Sequence, residues 1–141
     1  MSNIFDEQNE VKSARISWGK VGDHIFGTLI GKRSVPDQYK PGEEVPVYEF
    51  KAEGGSFHQI DKKVVSDAAT AINSGEVWAV FGRGALEQQM RRVKIGQKVG
   101  LKFTEERETK KGNDQKIIKV YTTGEMDQEW LESQEVGVGE M

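Results

Sequence analysis

The hydrophobic positions of the chain recur mostly with period two, and each such run predicts a strand. In HIFGTLIGKR, residues 24–33, β-branched and aromatic residues surround two glycines that permit bending or close backbone approach. In VYEFKAE, residues 47–53, Tyr48, Phe50 and Ala52 share one face and Glu49, Lys51 and Glu53 the other, so one side is buried and one is wet. EVWAVF, residues 76–81, reads as a third strand. Val99, Leu101 and Phe103 then alternate with Gly100, Lys102 and Thr104. Across a charged turn, Ile118 and Val120 face inward while Ile117, Lys119 and Tyr121 face outward, which makes KFTEERETKKGNDQKIIKVY, residues 102–121, a hairpin. Only ALEQQMRRV, residues 85–93, changes period. Leu86, Met90 and Val93 recur at i, i+4 and i+7, one face of a helix of two to three turns, with Arg91 outside it.

Between these elements the breaks are set by turn chemistry. SVPDQYKPGEEVP, residues 34–46, carries three prolines and Gly42 and reads as a loop. Gly54 and Gly55 read as the end of the second strand. Residues 56–75 carry little pattern beyond a short helix over residues 67–73 closed by Gly75.

Composition places these elements in one domain. The chain has 141 residues, 35% of them hydrophobic, with six Phe, three Tyr and three Trp, enough for one small core. It has no cysteine, which excludes disulfides, thiolate zinc sites and cysteine nucleophiles. No stretch approaches the roughly 20 apolar residues that span a bilayer, and the start MSNIFDEQNEVKSAR lacks the form of a signal segment. The expectation is a soluble protein of the cytoplasm, the host cytoplasm if viral, without membrane contact.

Charge changes the picture, because the net −3 conceals a segregation. Of the 23 acids, three lie in residues 1–10 and six in residues 125–141, neither of which holds a base; residues 11–124 keep 14 acids against all 20 Lys and Arg. A basic body therefore stands between acidic arms.

Tests for catalytic chemistry fail. GTLIGKRS, residues 27–34, has three residues between its glycines where a phosphate loop has four, and Arg33 stands where a magnesium-holding hydroxyl belongs. His24 beside Asp23, and His58 three residues before Asp61, lack the helix that would align metal ligands. Glu105, Glu106 and Glu108 sit in a solvated turn. No cofactor, metal or enzymatic activity is expected.

The order strand, strand, strand, helix, strand, strand over residues 15–122 resembles an oligonucleotide-binding (OB) fold, and residues 95–121 resemble its last two strands. In detail the chain is similar to small single-stranded DNA-binding proteins of phage type. The resemblance implies an all-β fold, a five-stranded Greek-key barrel with a short helix between strands three and four. It also implies a binding groove between the loops SVPDQYKPGEEVP and ERETKKGND, without cofactors. Cations expected to track phosphates are Lys32, Arg33, Arg83, Lys102, Lys110, Lys111 and Lys119. Rings offered for stacking are Trp18, Phe57, Trp78 and Tyr121, each with a core role as the alternative; for Tyr48 and Phe50 the core is favoured.

Three segments follow: an acidic N-terminal arm over residues 1–14, a binding domain over 15–124 and a flexible acidic tail over 125–141, where Trp130 and Leu131 offer a docking pair for replication or recombination proteins. The expected function is binding of single-stranded DNA with little sequence preference. The alternatives are a structural or assembly protein using its acidic arms, and an RNA-binding OB protein.

Overall fold

The structure, a computed structural model, describes residues 14–37, 40–82, 84–108 and 114–139. In chain order the elements are β1 (Ala14–Arg15), β2 (His24–Pro36), β3 (Glu44–Phe57), β4 (Ile60–Asp61), β5 (Val64–Val65), β6 (Thr70–Ile72) and β7 (Val77–Phe81). There follow α1 (Ala85–Met90), β8 (Lys98–Glu108), β9 (Asp114–Tyr121) and α2 (Gln128–Gly139).

One mixed sheet runs β1-β7-β3-β2-β8-β9, with β6 also paired to β3, and β4 and β5 form a small separate hairpin. The long strands β8, β2, β3 and β7 lie side by side as fourth, first, second and third in the chain, the Greek-key order. The expected barrel does not close. Among the described residues the end strands β1 and β9 share no ladder, nor do β7 and β9, so the sheet stays open on that side. There the side chain of Gln89 in α1 occupies the β9 edge instead, donating to Ile118 O at 3.0 Å and accepting from Val120 N at 3.0 Å.

The alternation read from the sequence is the burial pattern. Phe50, Phe57, Phe103, Leu29, Ile25 and Leu101 are fully buried, and Tyr48 and Ala52 join them from the same side of β3. Each large apolar side chain contributes about 2–3 kcal/mol by leaving water. Leu86, Met90 and Val93 all enter this core, but α1 ends at Met90, short of the expected residue 93. Its stop has a cause: the Lys32 ammonium donates to the carbonyls of Met90 at 3.0 Å and Val93 at 2.5 Å, satisfying acceptors that another helical turn would have used.

Three sequence expectations are corrected. The segment 34–46 is mostly strand, since Ser34 pairs with Pro46 and Pro36 with Glu44. Asp37 N donates to Glu43 O at 2.9 Å, so by alternation both prolines fall at non-hydrogen-bonded pairs, where this ladder needs no N–H. Gly54 and Gly55 do not end β3, which continues to Phe57. Gly55 has φ +145°, and a Cβ there would lie 2.4 Å from His24 O; it is glycine because two strands nearly touch. Within residues 67–73 the chain forms strand β6 on the edge of β3 rather than a helix.

Asp23 ties the start of β2 to the end of β3. It is 2% exposed and accepts from the amides of Gly19, Lys20 and His58 and from His58 Nδ1, at 2.9, 3.0, 2.9 and 2.7 Å. Burial pushes its carboxyl up, but the Lys20 and His58 amides and the His58 ring outweigh that and hold it below its ordinary value. A depressed folded-state value means stability present above about pH 4, the ordinary carboxylate range, and lost as pH falls through the lower folded value. Asp23→Ala should cost about 3 kcal/mol at pH 7, since it orphans buried amide donors. Thermal melts from pH 7 to pH 2 should show a wild-type acid limb that Asp23→Asn flattens; parallel curves would contradict the assignment.

Candidate nucleic-acid interface

The outer face of β2, β8 and β9 carries the group of side chains that the core does not use. Register puts Phe26 opposite Gly100, and Gly100 opposite Tyr121, so two rings flank a residue without a side chain. Two strand spacings separate them, about 10 Å. Phe26 is 44% exposed and Tyr121 53%. Between them opens a cleft of about 550 Å³, lined also by Glu53, Lys98, Thr122 and Thr123.

Glycines shape this cleft. The Phe26 ring lies over Gly54, where an added Cβ would sit 2.8 Å from Cζ. At Gly100 the nearest atoms to an added Cβ are Phe26 Cβ at 3.7 Å and Ile25 O at 3.8 Å, ordinary contact distances, so its missing side chain leaves an open floor. His24 stands two residues from Phe26 on the same side, its ring parallel within 5° at a centroid distance of 6.4 Å.

One row along, His24 pairs with Lys102 and Lys102 with Lys119. Like charges directly opposite one another destabilise a sheet. Both lysines are exposed, and among the described residues neither lies within ion-pair distance of a carboxylate. The nearby acid Glu105 is taken by Arg107, through Nε at 2.9 Å and a second guanidinium nitrogen at 3.1 Å. That fork, with smaller help from the charges of Arg107 and Lys119, holds the Glu105 carboxyl below its ordinary value. Glu105 is thus hydrogen-bonded to Arg107 rather than to either lysine, although its charge still acts on Lys119.

Of the residues expected to bind, Lys102, Lys119 and Tyr121 come together here. Phe57 does not: it is fully buried, with Trp78 edge-on at a centroid distance of 5.3 Å. Trp78 is half-buried against the core, its indole N–H without an acceptor among the described residues. Trp18 is half-buried in a separate cavity at the β7/β9 seam with Phe81, where its carbonyl accepts from Lys116 Nζ at 2.6 Å. At that seam the Phe81 ring is covered by the Arg15 guanidinium at 4.1 Å. Lys32 is spent on α1, and Arg33 pairs with Glu49 at 2.9 Å. Arg83, Lys110 and Lys111 lie outside the described residues, as does nearly all of the acidic N-terminal arm.

Trp130 and Leu131 turn inward. They pack with Met126 around Gly96, where an added Cβ would lie 3.1 Å from Leu131 Cδ2. The segment expected as a flexible tail thus begins as a docked turn: Lys98 N donates to Glu125 O at 2.8 Å and Asp127 N to Gly96 O at 2.7 Å. Asp127 caps α2 by accepting from Trp130 N at 3.0 Å, and its other oxygen accepts from the buried Thr28 hydroxyl. The Thr28 hydroxyl first, and then the Trp130 amide, hold its carboxyl below the ordinary value.

The sequence reading missed Phe26 and His24, although the inward Ile25 and Leu29 define an outward side on which both stand. It also missed Gly100, which acts through its lack of a side chain. No cluster of three or more His, Asp or Glu side chains that could hold a metal occurs among the described residues. Likewise, no helix among them is long and apolar enough to cross a membrane. Comparison with protein-family models, with curated proteins and with solved structures gives no match.

The glycine geometry gives a direct check. Gly100→Ala should fold as the wild type does or gain up to about 1 kcal/mol, because alanine is less costly than glycine in a strand. Gly55→Ala should lose about 3 kcal/mol or more, since its φ and the His24 carbonyl both exclude a side chain. Urea titrations of the two variants measure the contrast, and equal losses would contradict the open floor at Gly100.

Proposed function

We propose that the chain binds single-stranded DNA, with bases stacking on Phe26 and Tyr121 and phosphates running past Lys102 and Lys119. The observation that carries this reading is the cross-strand row Phe26, Gly100, Tyr121 beside the opposed lysines. Base stacking on exposed aromatic side chains contributes about 1–3 kcal/mol per base without requiring a particular base. Two lysines paired directly across neighbouring strands repel one another when alone and gain from a phosphate bound beside them. A duplex buries its base faces, so the cleft is suited to a single strand.

The finer fold reading is that of an OB domain left open at one seam. It is supported by the element order of the long strands, by the Greek-key neighbours and by the helix between β7 and β8. In such a domain the ligand lies across the outer sheet face, which is where the exposed rings stand. The role that follows is non-enzymatic: holding or protecting strands exposed in replication or recombination. RNA offers the same bases and phosphates, and parallel titration with an oligo-rU separates the two.

Fluorescence anisotropy of labelled oligo-dT is the test. Tyr121→Ala and Phe26→Ala should each weaken binding about tenfold. Gly100→Leu should weaken it further by filling the cleft, with circular dichroism confirming the fold. Lys102→Ala with Lys119→Ala should make the log-log salt slope shallower by about 0.7 for each phosphate no longer neutralised. Wild-type affinity retained in Gly100→Leu would reject this site.

A further inference from the structure

We propose that the cleft also reads the base it holds, favouring guanine and disfavouring thymine through Glu53 and Lys98; this rests on the single-strand reading above. The starting point is a bulge. Phe26 pairs with Gly54 and Gly27 with Ala52, so Glu53 is an extra residue of β3 opposite no partner on β2. Bulges re-aim a side chain, and this one lines the cleft beside Phe26.

A carboxylate there opposes the other charges of the surface. Beside Lys98, Lys102 and Lys119 it weakens attraction for a polyanion, so phosphate binding gives no account of it. Nor is it committed to an intramolecular bond. Glu53 Oε1 and Lys98 Nζ are 4.0 Å apart, at the outer limit of an ion pair, and both side chains are substantially exposed. The other polar side chains of the lining hold the chain together. Thr122 Oγ1 donates to Lys98 O at 2.7 Å, and Thr123 Oγ1 accepts from Glu125 N at 3.3 Å. Glu53 and Lys98 are thus a neighbouring acceptor and donor turned to the space where a base edge would lie.

The bases differ in how they meet such a pair. Guanine presents N1–H and the N2 amino group side by side, a fork that a carboxylate accepts with both oxygens, and next to them O6, an acceptor for an ammonium. Cytosine and adenine each offer one amino group to the carboxylate and one ring nitrogen to the ammonium. Thymine offers a single N3–H between two carbonyls, which sets a carbonyl oxygen against the carboxylate. Single-stranded bases are commonly read in this way, stacked on rings and hydrogen-bonded on their Watson–Crick edges. Good paired contacts discriminate by about tenfold or more.

The test uses the full chain and nonamers of thymidine in which only the central position varies, read by competition against a labelled dT nonamer. One central dG should tighten binding about tenfold over dT, and inosine, which lacks the N2 amino group, should recover only part of the gain. Glu53→Ala should abolish the preference while leaving or raising affinity for the dT nonamer, since a repelling charge is removed. Equal wild-type affinities for the dG and dT nonamers would overturn base reading and leave the stacking site standing, as would a preference that survives in Glu53→Ala. No binding of any nonamer would overturn both.

Discussion

The backbone of β3 occupies the place where Gly27 would carry a side chain. A Cβ at that position would lie 2.2 Å from Lys51 O and 2.8 Å from Ala52 Cα. No rotamer relieves a clash with backbone, so the sheet takes this shape only because residue 27 is glycine. Much of the outer face follows from that approach. β3 bulges at Glu53, the Phe26 ring settles over Gly54, and the next strand, through Gly100, leaves the far side of the ring uncovered. A cleft walled by aromatic rings is the outcome of three missing side chains as much as of two present ones.

Two carboxylates fix the ends of this arrangement. Asp23 gathers the donors of the turn before β2 and of the residue after β3, while Asp127 ties the start of α2 to Thr28 in the middle of β2. Both are acids whose charge is matched by hydrogen-bond donors rather than by a cation in ion-pair contact, apart from His58 on Asp23. Neither of them draws Lys102 or Lys119 into an ion pair, and both lysines stand exposed on the outer face. Docking of residues 125–131 brings the first acids of the C-terminal segment close to Lys98, so the acidic end is held beside the cleft.

Where period two ran unbroken, the sequence was informative. Tyr48, Phe50, Ala52, Val99, Leu101 and Phe103 are in the core as their alternation requires, and the face of Leu86, Met90 and Val93 is buried. Bulges hid the rest. At Glu53 the period breaks, so Phe57 enters the core from what simple counting makes the wrong side of the strand. The same break made Gly54 and Gly55 look like an end rather than a place where strands touch. Proline signals misled at Pro36 and Pro46 because a ladder needs N–H groups only at alternate pairs. In the candidate site, Lys102, Lys119 and Tyr121 were legible as outward positions of a hairpin. Phe26 was not, because residues 24–33 were read as a strand without an inward and an outward side being assigned, and the cations assigned to binding from strand ends proved to be committed to α1 and to Glu49.

The most direct measurement is an amide chemical-shift map of the isotope-labelled chain titrated with a thymidine nonamer. Gly100 is the natural reporter, since it forms the floor between the two rings and has no side chain of its own to respond. Stacking in the cleft predicts the largest shifts at Gly100, Phe26 and Tyr121, extending to Lys98 and Lys102. Shifts confined to α1 and the β7/β9 seam, with Gly100 unmoved at saturation, would contradict it.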